Sequence, residues 1–369
     1  MSEPFLNMYR HDFESFIRLS FTELNPYAGF QNNWHFGVLA EALHKVGEGK
    51  IKRLIINMPP RMGKSHCVSV AWIGWMIGRY PNKKFLCLHG GTALGRDLHE
   101  SCFQLMDSPR FRKIFPNSRI RGDKNRLITP YGGQRLFLPF DARLTGLGAD
   151  VIILDDVMSP MEAMDTAERE RLCQHFDQNI LQRLNSKKDG AIVVVMQRLH
   201  EHDLTSHILA KKDGWTVISL PAIAMADECW NLPHGRIHIR RKGEVLHEAR
   251  EPLEGLQRLP YEVGGHAFAY QFMQGQYIPE FGIHGEGCIY TTPYREGEFW
   301  DSRIMGPAGS GFIPYTEADL IMPRVFGVGP DPVPPNMRIS LTDEEWELLP
   351  KDRKDPFNQM VIREMDEFW

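Results

Sequence analysis

Between about residue 50 and residue 220 the chain alternates short unbroken apolar runs with longer amphipathic segments. The runs are "RLIIN" (53–57), "KFLCLHG" (84–90), "QRLFLP" (134–139), "VIILDD" (151–156), "AIVVVM" (191–196) and "WTVISLP" (215–221). Between them lie helix-length stretches: 64–79, "TALGRDLHESCFQLMD", "EAMDTAERERLCQHFDQNILQRL" and "HDLTSHILAKK". A strand with one wet face alternates apolar and polar residues, whereas these runs are apolar throughout, as strands buried on both faces are. The pattern predicts an α/β domain, a mostly parallel sheet covered by helices on both faces.

The rhythm stops near residue 280. Residues 281–369 contain 19 Gly or Pro, and only "DEEWELL", where Thr342 and Glu345 form a capping-box pattern, predicts order. The expected organisation is an N-terminal helical segment (1–50), an α/β core (51–225), a linker or lid subdomain (226–280) and an irregular, acidic C-terminal extension (281–369). No internal repeat or low-complexity tract is evident.

Composition is that of a soluble globular protein, with 42% apolar and 24% charged residues. The net charge of −4 is uneven: residues 281–369 carry 8 Lys/Arg against 16 Asp/Glu, leaving 35 against 31 in residues 1–280. A mildly basic body is compatible with meeting phosphate. The six cysteines (Cys67, Cys87, Cys102, Cys173, Cys229, Cys288) form no C-x-x-C pair or ligand set, so reduced, buried thiols are expected. The longest apolar run, "VSVAWIGWMIG", is too short to cross a bilayer, and the N-terminus lacks a signal pattern, which predicts a cytosolic protein without membrane contact.

Candidate chemistry begins at "LIINMPPRMGKSHC" (54–67). Gly63-Lys64-Ser65 closes a phosphate loop that follows a strand and opens a helix, so backbone N–H groups and the helix dipole face an anion. Lys64 would reach the β- and γ-phosphates, Ser65 would ligate Mg²⁺, and Gly63 lets the backbone approach. Met58 stands where the usual pattern has its first glycine, and Pro59-Pro60-Arg61 fill the loop. "VIILDD" supplies Asp155, a Mg²⁺ ligand, and Asp156, which would orient or deprotonate the attacking water, from a strand expected beside the loop. The competing readings are a surface turn with a free lysine, and two aspartates capping a turn. Gln197, ending "AIVVVM", reads either as a γ-phosphate sensor or as a cap on its strand.

In one order, "PPRMGKS", "TGLGADVIILDD", "QRLHEHDLTSHIL" and "WTVISLPAIA" resemble the large terminase subunit of tailed bacteriophages. "NNWHFGVLAEALHKV", "SPRFRKIFP" and "GHAFAYQFMQGQ" extend the likeness over roughly residues 25–280. The resemblance implies a P-loop NTPase that hydrolyses ATP with Mg²⁺. It makes Arg61 an in-cis arginine finger for charge developing on the γ-phosphate; a flanking salt bridge is the alternative. Gln31 and Trp34 fall in the adenine-side segment, Met62 and His66 complete the loop around Gly63, Lys64 and Ser65, and Gln197 takes the coupling position. Leu147 replaces an arginine common in the family, Val157 a proline, and Asp156 a glutamate.

The implied partners are double-stranded DNA gripped by its backbone, a portal protein and a small terminase subunit. The motor would act as a homo-oligomeric ring in the cytoplasm of the infected bacterial host, transiently on the procapsid. "RIHIRRK" (236–242) and Arg119, Arg121, Lys124 and Arg126 are candidate phosphate contacts, against the reading of a solvated face. Family members usually add a two-metal nuclease. None of the aspartates after residue 280 follows an apolar strand, so cleavage is expected from a separate nuclease polypeptide, or the chain is a truncated or interrupted gene product. A helicase-like nucleic-acid ATPase and a non-hydrolysing assembly factor are the alternative functions.

Overall fold

Helices α1 (Glu3–His11), α2 (Phe13–Leu24) and α3 (Trp34–Gly47) precede the first strand, β1 (Arg53–Asn57), in the computed structural model. It describes residues 2–211 and 214–275. The acidic extension, its Thr342–Glu345 capping pattern and Cys288 lie outside the described residues. After β1 the chain enters a wide π-helical segment, His66–Trp72, that continues as α4 (Ile73–Arg79). Then come β2 (Lys84–His89), α5 (Thr92–Asp107), α6 (Pro109–Ile114), β3 (Arg121–Gly122), β4 (Arg126–Ile128), β5 (Gln134–Pro139) and β6 (Val151–Asp155). α7 (Thr166–His175), β7 (Ala191–Met196), α8 (Leu204–Leu209) and β8 (Thr216–Ser219) complete the α/β alternation. A hairpin of β9 (Glu228–Asn231) and β10 (Ile237–Arg240) and the helix α9 (Leu253–Val263) follow.

The eight-stranded sheet has the order β3-β4-β5-β2-β6-β7-β1-β8. β5, β2, β6, β7, β1 and β8 run parallel, and β3 and β4 add an antiparallel edge. Every apolar run that predicted a strand is one. The expected adjacency of the loop strand and the "VIILDD" strand is corrected: β7 lies between β1 and β6 and pairs with both. Strand-like patterning carries no information about this order.

The pleat divides the strand side chains between two cores. Leu54, Ile56, Phe85, Cys87, Val151, Ile153, Val193 and Val195 face one core, shared with α2, α3, the His66–Trp72 segment and α5. Ile55, Leu86, Leu88, Ile152, Leu154, Ile192 and Val194 face the other, with Leu172 and Cys173 of α7 and Leu204 and Ile208 of α8. The apolar run 68–78 is a helix buried within the first core, and no helix among the described residues is long and apolar enough to cross a membrane. Cys67, Cys87, Cys102 and Cys173 are buried free thiols; burial pushes those of Cys87 and Cys102 up to about 11 and about 12.

The β9–β10 hairpin packs on α3, with His238 stacked on Trp34 at 4.3 Å. It also divides "RIHIRRK": Arg236 and Lys242 are exposed, as on a solvated face, whereas Arg240 is buried. Arg236 pairs with Glu14, Arg241 with Asp227, and the fully buried Arg240 with Glu228 at 3.4 Å. Arg240 also donates to the carbonyls of Pro221 (2.9 Å), Ala222 (3.1 Å) and Glu244 (2.9 Å). These charges hold the hairpin. Arg119, Arg121 and Lys124 are exposed and form no ion pair among the described residues.

α5 reaches the sheet through Gly95, where an added Cβ would meet the Phe137 ring at 2.0 Å, whereas at Gly29 nothing lies within 4 Å. Gly95→Ala therefore overpacks a closed contact and should cost about 1–3 kcal/mol in urea denaturation. Gly29→Ala should stay within about 0.5 kcal/mol of the parent.

Candidate active site

β1 ends on Asn57, whose buried side-chain amide donates to the Met196 carbonyl and the Thr205 hydroxyl, both at 3.2 Å. The next residue, Met58, donates its N–H to Met196 O (3.3 Å) and buries its side chain completely. Strand pairing with β7 thus persists where the usual loop would begin to turn on a glycine. The turn comes later. Pro59 and Pro60 restrict φ, Arg61 adopts a left-handed conformation (φ 62°), and Gly63 does so at φ 80°. At Gly63 a Cβ would also meet Phe36 at 2.9 Å, so glycine is required on both counts. Left-handed backbone at Arg61 costs roughly 1 kcal/mol or more and persists because the surroundings enforce it.

The brace comes from α3. His35, fully buried, donates from Nε2 to the Met62 carbonyl at 3.1 Å. Its Nδ1 faces the Asn33 amide, which also donates to Leu246 O at 2.6 Å. Burial, with the neighbouring His247, pushes the His35 pKa down to about 3, so the ring stays neutral.

Lys64, Ser65, Asp155 and Asp156 come together above this loop. Lys64 is 5% exposed, and its Nζ lies 3.2 Å from Asp156 Oδ2. The Ser65 hydroxyl donates to Asp155 Oδ1 at 2.8 Å, and the Ser69 hydroxyl donates to Oδ2. Strand parity explains the meeting: Ile153 and Asp155 share the face on which the loop helix packs. Burial pushes the Asp155 carboxyl up, opposed by the two hydroxyls and Lys64. Asp156, in left-handed backbone at φ 45° and 26% exposed in its side chain, is also raised by burial, opposed chiefly by Lys64.

Gln197 follows the intervening strand β7, between the loop strand and the carboxylate strand, and its buried Oε1 has no partner among the described residues. Arg198 is committed elsewhere. It donates through its backbone to Gln274 Oε1 (3.1 Å) and through its side chain to Asp203 (2.8 Å) and Ser206 (2.6 Å). Asp203 in turn caps α8 at Ser206 N (3.1 Å).

The remaining candidates are more scattered. Arg61 is exposed at the loop and makes no ion pair among the described residues, so the flanking salt bridge is not formed. Gln31 is exposed between α2 and α3; its neighbour Phe30 packs on Phe36, which touches Gly63. Trp34 instead spends its ring on the hairpin, against His238 and Trp230. Met62 is buried in the core and offers the site only its backbone. His66 turns its ring to the Ser20 hydroxyl (2.9 Å) and Phe21, and burial lowers its pKa to about 4. An aromatic or loop residue near a pocket in sequence is taken by the core when an apolar neighbour lies closer.

Sequence reading missed Ser69, His35 and a buried polar pair one strand further. Ser69 had a signal, one helical turn after Ser65. His89, at the end of β2 opposite Asp155, is fully buried, and neither ring nitrogen has a hydrogen-bond partner among the described residues. Burial and the nearby Arg135, itself fully buried and donating to His99 Nδ1 at 2.8 Å, push His89 down to about 3. Nothing local marks these residues as neighbours.

A lysine, a hydroxyl and two carboxylates at a helix start can hold a polyphosphate and a hard cation. The donors fit magnesium, which favours oxygen ligands and takes only one or two carboxylates from the protein. Among the described residues no group of three His, Cys, Asp or Glu gathers as a metal cage, so the other ligands would be phosphate oxygens and water.

No family model matches the chain, and no curated protein matches it. Among solved structures it is similar to the HK97 bacteriophage large terminase, at 13% identity and a TM-score of 0.39. That match covers 58% of this chain and 44% of the HK97 chain, less than half its length. It is also similar to the ATPase domain of the Thermus phage P74-26 large terminase, at 14% identity and a TM-score of 0.40, covering 68% of this chain and 96% of that domain.

His35, His66 and His89 are held neutral in the fold, well below the ordinary 6.5. Below that pH the unfolded chain binds more protons, so stability present above pH 6.5 is lost as pH falls toward 4, by about 1.4 kcal/mol per pH unit for each ring. The raised carboxyls of Asp155 and Asp156 act in the opposite sense but equally in parent and variant. His35→Gln, which keeps a donor for the Met62 carbonyl, should therefore flatten the acid limb of urea stability between pH 6 and 4.5 by about one proton's slope.

Proposed function

We propose that this chain is the ATP-hydrolysing motor subunit of a viral DNA-packaging terminase, translocating double-stranded DNA into a procapsid. The observation that carries the reading is the convergence of Lys64 and Ser65 with Asp155 and Asp156 on one rim of the sheet. Lys64 and the loop N–H groups, with Gly63 admitting close approach, bind the phosphates. Ser65 and Asp155 would hold Mg²⁺, which would supply positive charge to offset that of the phosphates.

Asp156, at the pocket's exposed mouth, orients the attacking water. In that complex Lys64 exchanges its ion pair with Asp156 for phosphate. Arg61, exposed at the loop tip and without an ion pair among the described residues, stabilises charge on the γ-phosphate, and the Gln197 side-chain amide senses it through its N–H donors. Gln31 serves the adenine side.

The same reading assigns a portal protein and a small terminase subunit as partners and a ring as the working form. DNA cleavage is left to a separate nuclease polypeptide, and residues 226–280 form a lid or linker. Arg119, Arg121 and Lys124 are the better duplex contacts, because they form no ion pair among the described residues, while Arg236, Arg240 and Arg241 are paired with carboxylates of this chain.

Phosphate release should fall at least about 100-fold in Lys64→Ala and Asp155→Ala, and by about 10³-fold in Arg61→Ala. Equal rates in parent, Lys64→Ala and Asp155→Ala would leave a nucleotide-binding assembly factor as the function.

Duplex translocation without opening separates a packaging motor from a helicase-like ATPase, which strand displacement would reveal. Arg121→Glu with Lys124→Glu should weaken duplex binding and lower the magnitude of its log-log salt slope by about 2. Arg236→Ala should leave DNA binding intact.

A further inference from the structure

Ser69 occupies an unfavourable place for a serine. It lies in the middle of a helical segment, is 0% exposed, and is flanked by the buried Cys67, Val68, Val70, Ala71 and Trp72. A hydroxyl there opposes both helix propensity and burial, and alanine would suit the position better on both counts. Its hydroxyl donates to Asp155 Oδ2, while Ser65, one turn earlier, donates to Oδ1. Ser69 lies in the π-helical segment His66–Trp72, which Ser65 immediately precedes, and such wide turns collect at functional sites.

We infer that Ser69 is a positioning residue that holds the Asp155 carboxylate for the metal, a role that rests on the nucleotide-site reading above. The two serines are not equivalent. Ser65 stands at the loop, half-buried, and can offer a cation a lone pair while its proton stays on Oδ1, so its orientation must answer to both. Ser69 is sealed in the core and serves the carboxylate alone. It fixes Oδ2, so Oδ1 is presented in one orientation. Without Ser69 the carboxylate would be held at one oxygen only and would turn about its last side-chain torsion.

The test compares the full-length parent with Ser69→Ala and Ser69→Thr. Mn²⁺ binding in the presence of ADP is read by electron paramagnetic resonance, and ADP binding in EDTA by calorimetry. Ser69→Ala should weaken Mn²⁺ binding about tenfold, the lower end for loss of an outer-shell partner of a metal ligand, and Ser69→Thr should recover most of it. ADP binding in EDTA should change less than about twofold in either variant, because the phosphate-binding loop atoms are untouched.

Should Ser69→Ala fail to fold, Ser69→Cys fills the same space with a weak donor and carries the same expectation at about threefold. Unchanged Mn²⁺ affinity in the folded variant would overturn the inference. So would an equal loss of ADP binding in EDTA, which marks a damaged loop. A parent that binds ADP neither with nor without Mn²⁺ would overturn the nucleotide-site reading itself, and this inference with it.

Discussion

A carboxylate cut off from solvent at the end of β6 constrains the whole loop-bearing rim of the sheet. Asp155 is 0% exposed, and burying an ionised carboxylate without partners costs several kcal/mol. Two hydroxyl donors and the nearby Lys64 offset that cost, and all three come from the first two turns after the loop. The loop helix must therefore pack on the face that Asp155 shares with Ile153, and at one height. Shifting β6 by one residue would send Asp155 into the other core, among Leu154 and Val194, with no donor at all. The apolar sheet and the polar site are specified by the same register.

The stiffness of the loop follows from a second constraint. A glycine-rich phosphate loop is adaptable, and ordering it on binding costs conformational entropy. Here Met58 continues the pairing with β7, two prolines restrict the next φ angles, and the His35 donor holds the Met62 carbonyl. Arg61 in left-handed backbone is tolerable because both sides of it are fixed. The brace extends outward through Asn33 to Leu246 and through Trp34 to the hairpin, so the shape of the loop depends on residues almost two hundred positions away.

What the sequence made legible follows physical locality. Strands buried on both faces are apolar at every position, so their runs stand out, and Gly63-Lys64-Ser65 and the two aspartates are local strings at strand ends. Strand order is not local, and the insertion of β7 between β1 and β6 leaves no trace in either. Charge misleads for the same reason. "RIHIRRK" resembles a phosphate-binding surface until Glu14, Asp227 and Glu228 are placed beside it, and Glu14 lies more than two hundred residues away in the chain. Ser69 was within reach, since its spacing from Ser65 is one turn of a helix the pattern predicted. The His89, His99 and Arg135 grouping was not, because only the packing of α5 on β2 and β5 brings it together.

The tip of β7 is hydrogen-bonded to the 265–275 segment. The buried Oε1 of Gln197 has no hydrogen-bond partner among the described residues, whereas the backbone N–H, Nε and Nη2 of its neighbour Arg198 are committed to Gln274, Asp203 and Ser206. Gln274 is 2% exposed and lies in left-handed backbone at φ 56°, so it is held by its surroundings and does not simply yield. Under the proposed reading, a phosphate arriving at or leaving Gln197 displaces a residue whose next peptide is fastened to the 265–275 segment. A displacement there must be taken up either by breaking the Arg198–Gln274 hydrogen bond or by moving that segment. Breaking the bond would leave the Arg198 N–H and the buried Gln274 oxygen without each other, at about 1–3 kcal/mol for each buried group left unsatisfied, which ties the segment to the tip of β7.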